Sequence, residues 1–555
     1  MNKGLGNLLT SYLLSRKRLG LWLLFVILLG AYAVNVKFAV AMNEWNGRFF
    51  NALQQIDKEA IYAELFHFIG LASSIILLLV TADYLKKRLI LALRRDITHI
   101  FFNRWLSPNS AHYLLRESGH EPDNPDQRIT EDVRALVSLT VNLTFSFFDS
   151  VLTIGSFSVI LWELSGAVSF FGYEIPGYMF WVCIVYTLIS TGITHLIGRR
   201  LKMLNIESQH QEANLRAALM EKRRHADAIA GAGGEEAEAS QLRSRFKSVL
   251  DILIALIKKQ RDLDYFTVGL GQVTHLAPIF FSLPSFLAGT IQMGGLMQIR
   301  GAFVDVARSL SWFIFAYDDL ARLAATYERL RVLEAGLAEA DRTRDENRAR
   351  IERLERGLST DVVLHVPTHD GSTHTLDAAF SLNAGTFTIV TGESGIGKTT
   401  LLKALAGFFS DYSGRIAGAD DIFWLPQRTY TMKGSLRANL AYPQAPDTLT
   451  DREARELLAA VRLEGLVNSL DTVCDWSVKL SGGEQQRLTL IRAIRRQPAV
   501  LLMDEPTSAI DDRLAEEILQ KMLGLLPNTA VVMISHQSPL FSIADRVVTL
   551  TRQPS

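Results

Sequence analysis

The residues best placed to do chemistry lie in the run Gly392-Glu393-Ser394-Gly395-Ile396-Gly397-Lys398-Thr399-Thr400. Glycines in such a run let backbone amides curl around phosphate oxygens, and a lysine at its end neutralises them. The apolar stretch Thr386 to Val390 before it predicts a buried strand, and Leu401 to Ala406 after it predicts a helix. A helix N-terminus adds its free N–H groups and positive dipole end to the same site. Thr399 offers a hydroxyl to a magnesium ion bound with the nucleotide. A second apolar strand, Ala499 to Met503, ends in Asp504 and Glu505. Alpha/beta sheets place ligands beyond the carboxyl ends of their strands. Asp504 is therefore expected to hold the magnesium shell, and Glu505 to orient or deprotonate an attacking water.

Four further motifs narrow the class. Leu480-Ser481-Gly482-Gly483-Glu484-Gln485-Gln486-Arg487 resembles the signature of ATP-binding cassette proteins and stands just ahead of the Asp-Glu strand. Gln427, in Trp424-Leu425-Pro426-Gln427, resembles the Q-loop of that family; Ser508-Ala509-Ile510-Asp511 resembles its D-loop. His536, after Ser535 and the strand Ala530 to Ile534, resembles its switch histidine. Alone, His536 would be an ordinary polar residue and Ser481 to Gly483 an ordinary turn. In this order the set is identified as an ATP-binding cassette.

The resemblance implies ATP and Mg2+ as cofactors. Glu505, His536 and Lys398 are the implied catalytic residues, and Gln427 joins Thr399 and Asp504 around the metal. In this family the gamma phosphate is held between the phosphate loop of one cassette and the signature of another. A chain with one of each is expected to form a homodimer in which Ser481, Gly482 and Gly483 serve the partner's nucleotide, with Asp511 of the D-loop also counted among the nucleotide-binding residues. Two departures from the family pattern stand out. The fifth signature position is Glu484, where many relatives have glutamine. Counting back 26 residues from Gly392, where relatives place a base-stacking tyrosine, reaches Val366 before Pro367. Either adenine selectivity is loose or another aromatic stacks on the base.

The elements that position these residues divide the chain. Its 555 residues exceed what one hydrophobic core usually supports. Lys plus Arg equals Asp plus Glu at 58 each, so no global field favours nucleic acid. The two cysteines, Cys183 and Cys474, suggest neither a disulfide framework nor a metal site. Apolar residues concentrate before about position 325, and six spans are expected there, at about 19–42, 65–90, 135–162, 178–198, 265–289 and 301–325. The first apolar run is longer than a signal-peptide core and is expected to stay. The sixth span contains Asp305, Arg308, Asp318 and Asp319, and reads as lining a wet cavity.

Positive clusters at Arg16, Lys17 and Arg18, at Lys86, Lys87 and Arg88, and at Arg199, Arg200 and Lys202 predict those span ends to be cytoplasmic. Both termini and the ATPase then face the cytoplasm. The stretches from Asp83 to Val133 and Arg199 to Leu263 read as helical extensions of the spans. The expected fold is a membrane helical bundle of exporter type over 1–326, a charged helical connector over 327–357, and an alpha/beta cassette over 358–555. Leu330, Leu333 and Leu337 sit at helical spacing in the connector, which reads as a solvated helix.

Trp45-Asn46-Gly47-Arg48-Phe49-Phe50-Asn51-Ala52-Leu53, Asp123-Asn124-Pro125-Asp126-Gln127-Arg128-Ile129 and Ser311-Trp312-Phe313 resemble SbmA/BacA-type bacterial transporters with a fused cassette. The layout is more distantly similar to peroxisomal fatty acyl-CoA half-transporters. Read as structure alone, Pro125 would end one helix and Asp126 would cap the next. The resemblance implies ATP-driven transport of peptides or another bulky hydrophilic solute, such as cobalamin, across a bacterial inner membrane. The alternatives are an acyl-CoA or lipid transporter and, in another class, an ATP-gated channel or membrane-tethered regulator. Intact Glu505 and His536 count against pure gating. Comparing GTP with ATP hydrolysis separates loose from strict base selection: comparable rates are expected if selection is loose, and strict ATP preference would count against it.

Overall fold

The computed structural model describes residues 6, 18–108, 110–117, 122, 124–170, 173–367 and 373–551. Arg16, Lys17 and Asp123, used above, lie outside them. The chain divides into two compact units, 1–102 with 122–335 and 103–121 with 336–555.

The first unit is built of long helices: α1 (Leu19–Gln55), α2 (Lys58–Trp105), then, after residues 103–121, Val133–Ser165, Tyr178–Arg224 and Glu235–Leu287. Among the described residues, these five helices are long and apolar enough to cross a membrane, the third counted from Pro125. Leu23, Phe66, Leu77 and Leu188 along them are exposed, as side chains facing lipid must be. A short hairpin, Ala167–Phe170 against Tyr173–Pro176, joins the third helix to the next; no alternation in the sequence announced it.

Where the sixth span is expected, at about 301–325, two helices meet. The first runs Met293–Leu310 and ends at Ser311, whose hydroxyl and N–H both bond the Ala307 carbonyl; the second, Trp312–Arg350, follows. Ala302, Phe303 and Val306 are fully buried, so the Met293–Leu310 helix lies inside the bundle. Asp305 and Arg308 on it pair with each other at 3.2 Å.

The Trp45 to Leu53 block acts as a clasp. Asn51 and Gln54 of α1 accept from the N–H groups of Gly294 and Met293, satisfying donors that a helix start leaves free. A Cβ on Gly294 would collide with the Gly47 carbonyl, so glycine is what lets the two backbones meet there. On the other side of α1, Trp45 donates to the Glu64 carbonyl and Arg48 pairs with its carboxylate.

The Asn124 to Ile129 block is corrected. Pro125 opens a short helix at its first position, where its missing N–H costs nothing; the residue before the helix is Asn124, whose side chain makes no cap bond, and Asp126 lies inside the first turn. A single π turn, Arg128–Asp132, then leads into Val133–Ser165. There Asp132, buried, receives both Nε and Nη2 of Arg329 at 2.8 and 2.7 Å, while Arg128 donates to the Arg329 carbonyl.

The connector is not a solvated helix. Leu330, Leu333 and Leu337 are fully buried, and the same face continues through Ala340, Arg344 and Asn347. The helix stops at Arg350, and Ile351–Arg353, assigned above to the connector, is a strand paired with Tyr412–Gly418 of the second unit. Ala111–Glu117, read above as an extension of the spans, is a separate helix packed in that second unit.

Replacing Asp132 by alanine leaves the Arg329 guanidinium without its bidentate partner. Because Arg329 is half exposed, the expected loss is about 2 kcal/mol. Thermal unfolding in detergent measures it, with Asp132→Asn recovering part.

Candidate nucleotide site

A five-stranded parallel sheet, in the order Arg546–Leu550, Phe387–Gly392, Ala530–Ile534, Val500–Asp504, Ile422–Leu425, carries the site. The three inner strands are buried along nearly their whole length, which explains their near-continuous Val, Ile, Leu and Met content. Register pairs Asp504 with Ile534, Ile534 with Val390, and Met503 with Leu425. The carboxyl ends are thus level, and the next residues of each strand fall side by side: the Gly392 loop, His536, Glu505 and Gln427.

Within the loop Gly395 and Gly397 have φ of 80° and 108°, a region costly for residues with a Cβ. The helix Lys398–Leu405 starts where predicted. Lys398 Nζ donates to the Gly392 and Glu393 carbonyls at 2.8 Å each, which curls the loop around the ammonium. Burial lowers its pKa, opposed by the charges of Glu505 and Asp504. Thr399 Oγ1 donates to Asp504 Oδ2 at 2.9 Å. Burial raises the Asp504 carboxyl, and the Thr399 bond counters it.

Glu505 has φ of 48°, a left-handed conformation that costs a residue of this kind about 1–3 kcal/mol. Its N–H is fixed by the Ile534 carbonyl, and the turn sets its carboxylate among the other motifs. Gln427 Nε2 donates to Oε2 at 3.0 Å, and His536 Nε2 lies 3.9 Å from Oε1. A carboxylate, an imidazole and an amide therefore converge next to the lysine loop.

The signature residues sit elsewhere. Ser481 caps the helix Gly482–Arg496 in a capping box: Glu484 N–H bonds the Ser481 hydroxyl, and Glu484 Oε2 accepts from the Ser481 N–H at 2.9 Å. The Ser481 bonds hold the Glu484 carboxyl below its usual range. The departure from glutamine thus keeps a helix start that either residue can make. A Cβ on Gly483 would lie 2.7 Å from the Ala509 carbonyl, so glycine is required for the signature turn to meet the D-loop segment. Gln486 ties them further, donating to Ser508 and accepting from the Ala509 N–H. Asp511 caps the helix Asp512–Leu525.

Three contributors escaped the sequence reading. Gln537, next to His536, bonds Thr507, the Ile510 carbonyl and Asp512, joining the histidine strand to the D-loop. Arg344 donates to the Ala406 and Gly407 carbonyls, which end the lysine helix, and stacks on Phe408 at 4.0 Å. Its burial drops the guanidinium pKa to about 10. Tyr113 of Ala111–Glu117 packs edge-on against Phe408 and Trp424, and Glu117 pairs with Lys403 at 2.5 Å. The dense arginine run around Arg344 hinted at it, while Gln537 and Tyr113 carry no comparable signal in the sequence. Val366 is buried, one of its methyls 2.7 Å from where Gly397 would carry a Cβ. It supports the loop from below and offers no face to a base.

Comparison with known proteins defines the class. Residues 8–286 match the family model "ABC transporter transmembrane region 2", and residues 376–508 match the model "ABC transporter". The chain belongs to this ABC transporter family. It is 32% identical to the Escherichia coli K12 "Inner membrane ABC transporter ATP-binding protein YddA" over 95% of this chain and 93% of that one. It is 25% identical to the Arabidopsis thaliana "ABC transporter D family member 2, chloroplastic", covering 96% and 83%. Its fold matches a bacterial Atm1-family ABC exporter solved with ATP bound, at a TM-score of 0.71 and 19% identity, over 96% and 94% of the two chains. The chain is thus a multi-pass membrane protein of exporter-type fold that binds ATP and couples its hydrolysis to transport.

Glu505→Gln is expected to keep nucleotide binding and lower hydrolysis at least about 100-fold, as loss of a general base does; normal turnover would reassign the base. Glu484→Gln should retain the capping box and the melting temperature, whereas Glu484→Ala should cost about 1 kcal/mol in thermal unfolding.

Proposed function

We propose that two copies of this chain form a homodimeric pump that moves peptides or another bulky hydrophilic solute across the bacterial inner membrane. Cobalamin is a further candidate cargo. Each copy contributes six spans: the five long apolar helices, and a sixth made of Met293–Leu310 with the start of Trp312–Arg350. The charge pattern favours cytoplasmic termini and ATPase.

The observation that carries the cargo class is a cavity of about 290 Å3 among Tyr178–Arg224, Glu235–Leu287 and Met293–Leu310. Tyr186, Thr187, Ser190, Thr194, Thr274 and Ser311 line it, with Arg308 at its wall. Hydroxyls and a guanidinium suit amide and carboxylate groups. Leu270, Val304 and Ala307 add apolar wall that an acyl chain could also use, so the preference for a peptide over acyl-CoA rests on the SbmA/BacA-type resemblance together with these polar groups.

In each nucleotide site the Gly392 to Thr400 loop binds the phosphates and Lys398 neutralises them. Glu505 activates the water, held by Gln427 and His536. Ser481, Gly482, Gly483 and Asp511 complete the partner's site, consistent with a signature turn that packs on its own D-loop. Thr399, Asp504 and Gln427 form a hard oxygen donor set, with Thr399 already bonded to Asp504, and these fit Mg2+. The ion, when bound, offsets charge on the beta and gamma oxygens.

In lipid nanodiscs, peptides should stimulate ATP hydrolysis more than acyl-CoA does. In vesicles, flux of a labelled peptide should require ATP and vanish in Glu505→Gln. Stimulation by acyl-CoA alone, or no ATP-dependent flux in either direction, would sink the peptide reading.

A further inference from the structure

A cavity of about 340 Å3 lies at the end of the lysine helix remote from Lys398. Its size falls in the range of small-molecule sites, about 300–1,000 Å3. Ala406, where that helix finishes, lines it; at 1.5 Å per residue this is about 12 Å along the axis from Lys398. Ile422, at the amino end of its strand, lines it as well, whereas the nucleotide motifs follow the carboxyl ends of the strands. The cavity is therefore a separate place from the phosphate loop.

One sign of charge dominates its wall. Arg344, Arg348 and Arg353 border it, against a single carboxylate, Asp420. Asp420 pairs with Arg353 at 3.3 Å, but both side chains are exposed, and such a pair holds weakly. Arg344 is 8% exposed, and among the described residues no carboxylate pairs with it or with Arg348. Its Nη1 is engaged by the Ala406 and Gly407 carbonyls, while its Nε has no hydrogen-bond partner. Burial first, and the nearby charge of Arg348 second, hold its pKa down to about 10, which still leaves it charged at neutral pH. A buried cation with an unmatched donor and a like charge beside it is destabilising unless an anion joins it.

The residues also indicate which anion. Guanidinium forks match the oxygens of a phosphoryl group, and three guanidiniums less one carboxylate leave two positive charges for a dianion to balance. Ile351 and Ile422 add apolar wall on which an organic group can rest. We infer that this cavity is a second anion site of the cassette, taking a small phosphate ester whose phosphoryl group is held by Arg344, Arg348 and Arg353. Because Arg344 also satisfies the carbonyls that finish the lysine helix, the bound anion steadies that helix from the end opposite the nucleotide.

The test measures pyrophosphate binding to the full chain in phosphatidylcholine nanodiscs, in the Lys398→Ala background so that the phosphate loop does not contribute. One pyrophosphate per chain should bind and raise the melting temperature. Adding Arg348→Ala or Arg353→Ala should each weaken binding about tenfold, the scale of one lost charge-assisted hydrogen bond, and leave the melting temperature without anion unchanged. Arg452→Ala removes an exposed arginine elsewhere on the cassette and should leave the affinity within about twofold. No binding in the Lys398→Ala chain, an affinity that neither Arg348→Ala nor Arg353→Ala alters, or an equal loss in Arg452→Ala overturns the inference.

Discussion

The parallel hydrogen bonding of Phe387–Gly392, Ala530–Ile534, Val500–Asp504 and Ile422–Leu425 is the constraint on which the rest depends. Each strand ends in a different motif, and register alone makes those ends level. Without it, Gln427, Glu505, His536 and Lys398 would be four unrelated polar residues spread over more than a hundred positions. With it, a carboxylate is held by an amide on one side and faced by an imidazole on the other, beside a lysine loop. The positive φ at Glu505 is the local strain that this sheet sustains, and burial of the strands on both faces is what supports it.

The lysine helix is braced at both ends. Val366 supports the loop at its start, and Arg344 satisfies the Ala406 and Gly407 carbonyls at its finish. Arg344 also stacks on Phe408, just past the end of that helix. Tyr113, packed on Phe408 and Trp424, adds a contact to the strand that leads to Gln427.

Much of this was legible in the sequence because the motor motifs are contiguous and each has its own strand or helix context. The strand Ala530–Ile534 matches its expected limits, and the strands ahead of Gly392 and Asp504 differ by a residue or so. The five apolar helices were legible from length and hydropathy. What escaped was what depends on distant partners. Leu330, Leu333 and Leu337 had helical spacing but no sign of what buried them, so a charged surround made the helix look solvated. The Trp45 to Leu53 block read as a family mark, while its physical work, capping Met293–Leu310 and letting Gly47 meet Gly294, needs residues more than two hundred positions away. The break at Ser311 carries no sequence signal, and Glu484, which looked like a departure, proves to be half of a capping box.

In the proposed homodimer each chain is one half of a machine: Ser481 to Gly483, packed on their own D-loop, would serve the lysine loop of the second copy. The most direct test is ATP turnover by a purified mixed dimer of one Lys398→Ala chain and one Ser481→Arg chain, each inactive with itself. Shared sites predict that the mixed dimer regains hydrolysis, because one intact loop then faces one intact signature. A mixed dimer as silent as either parent would contradict the account.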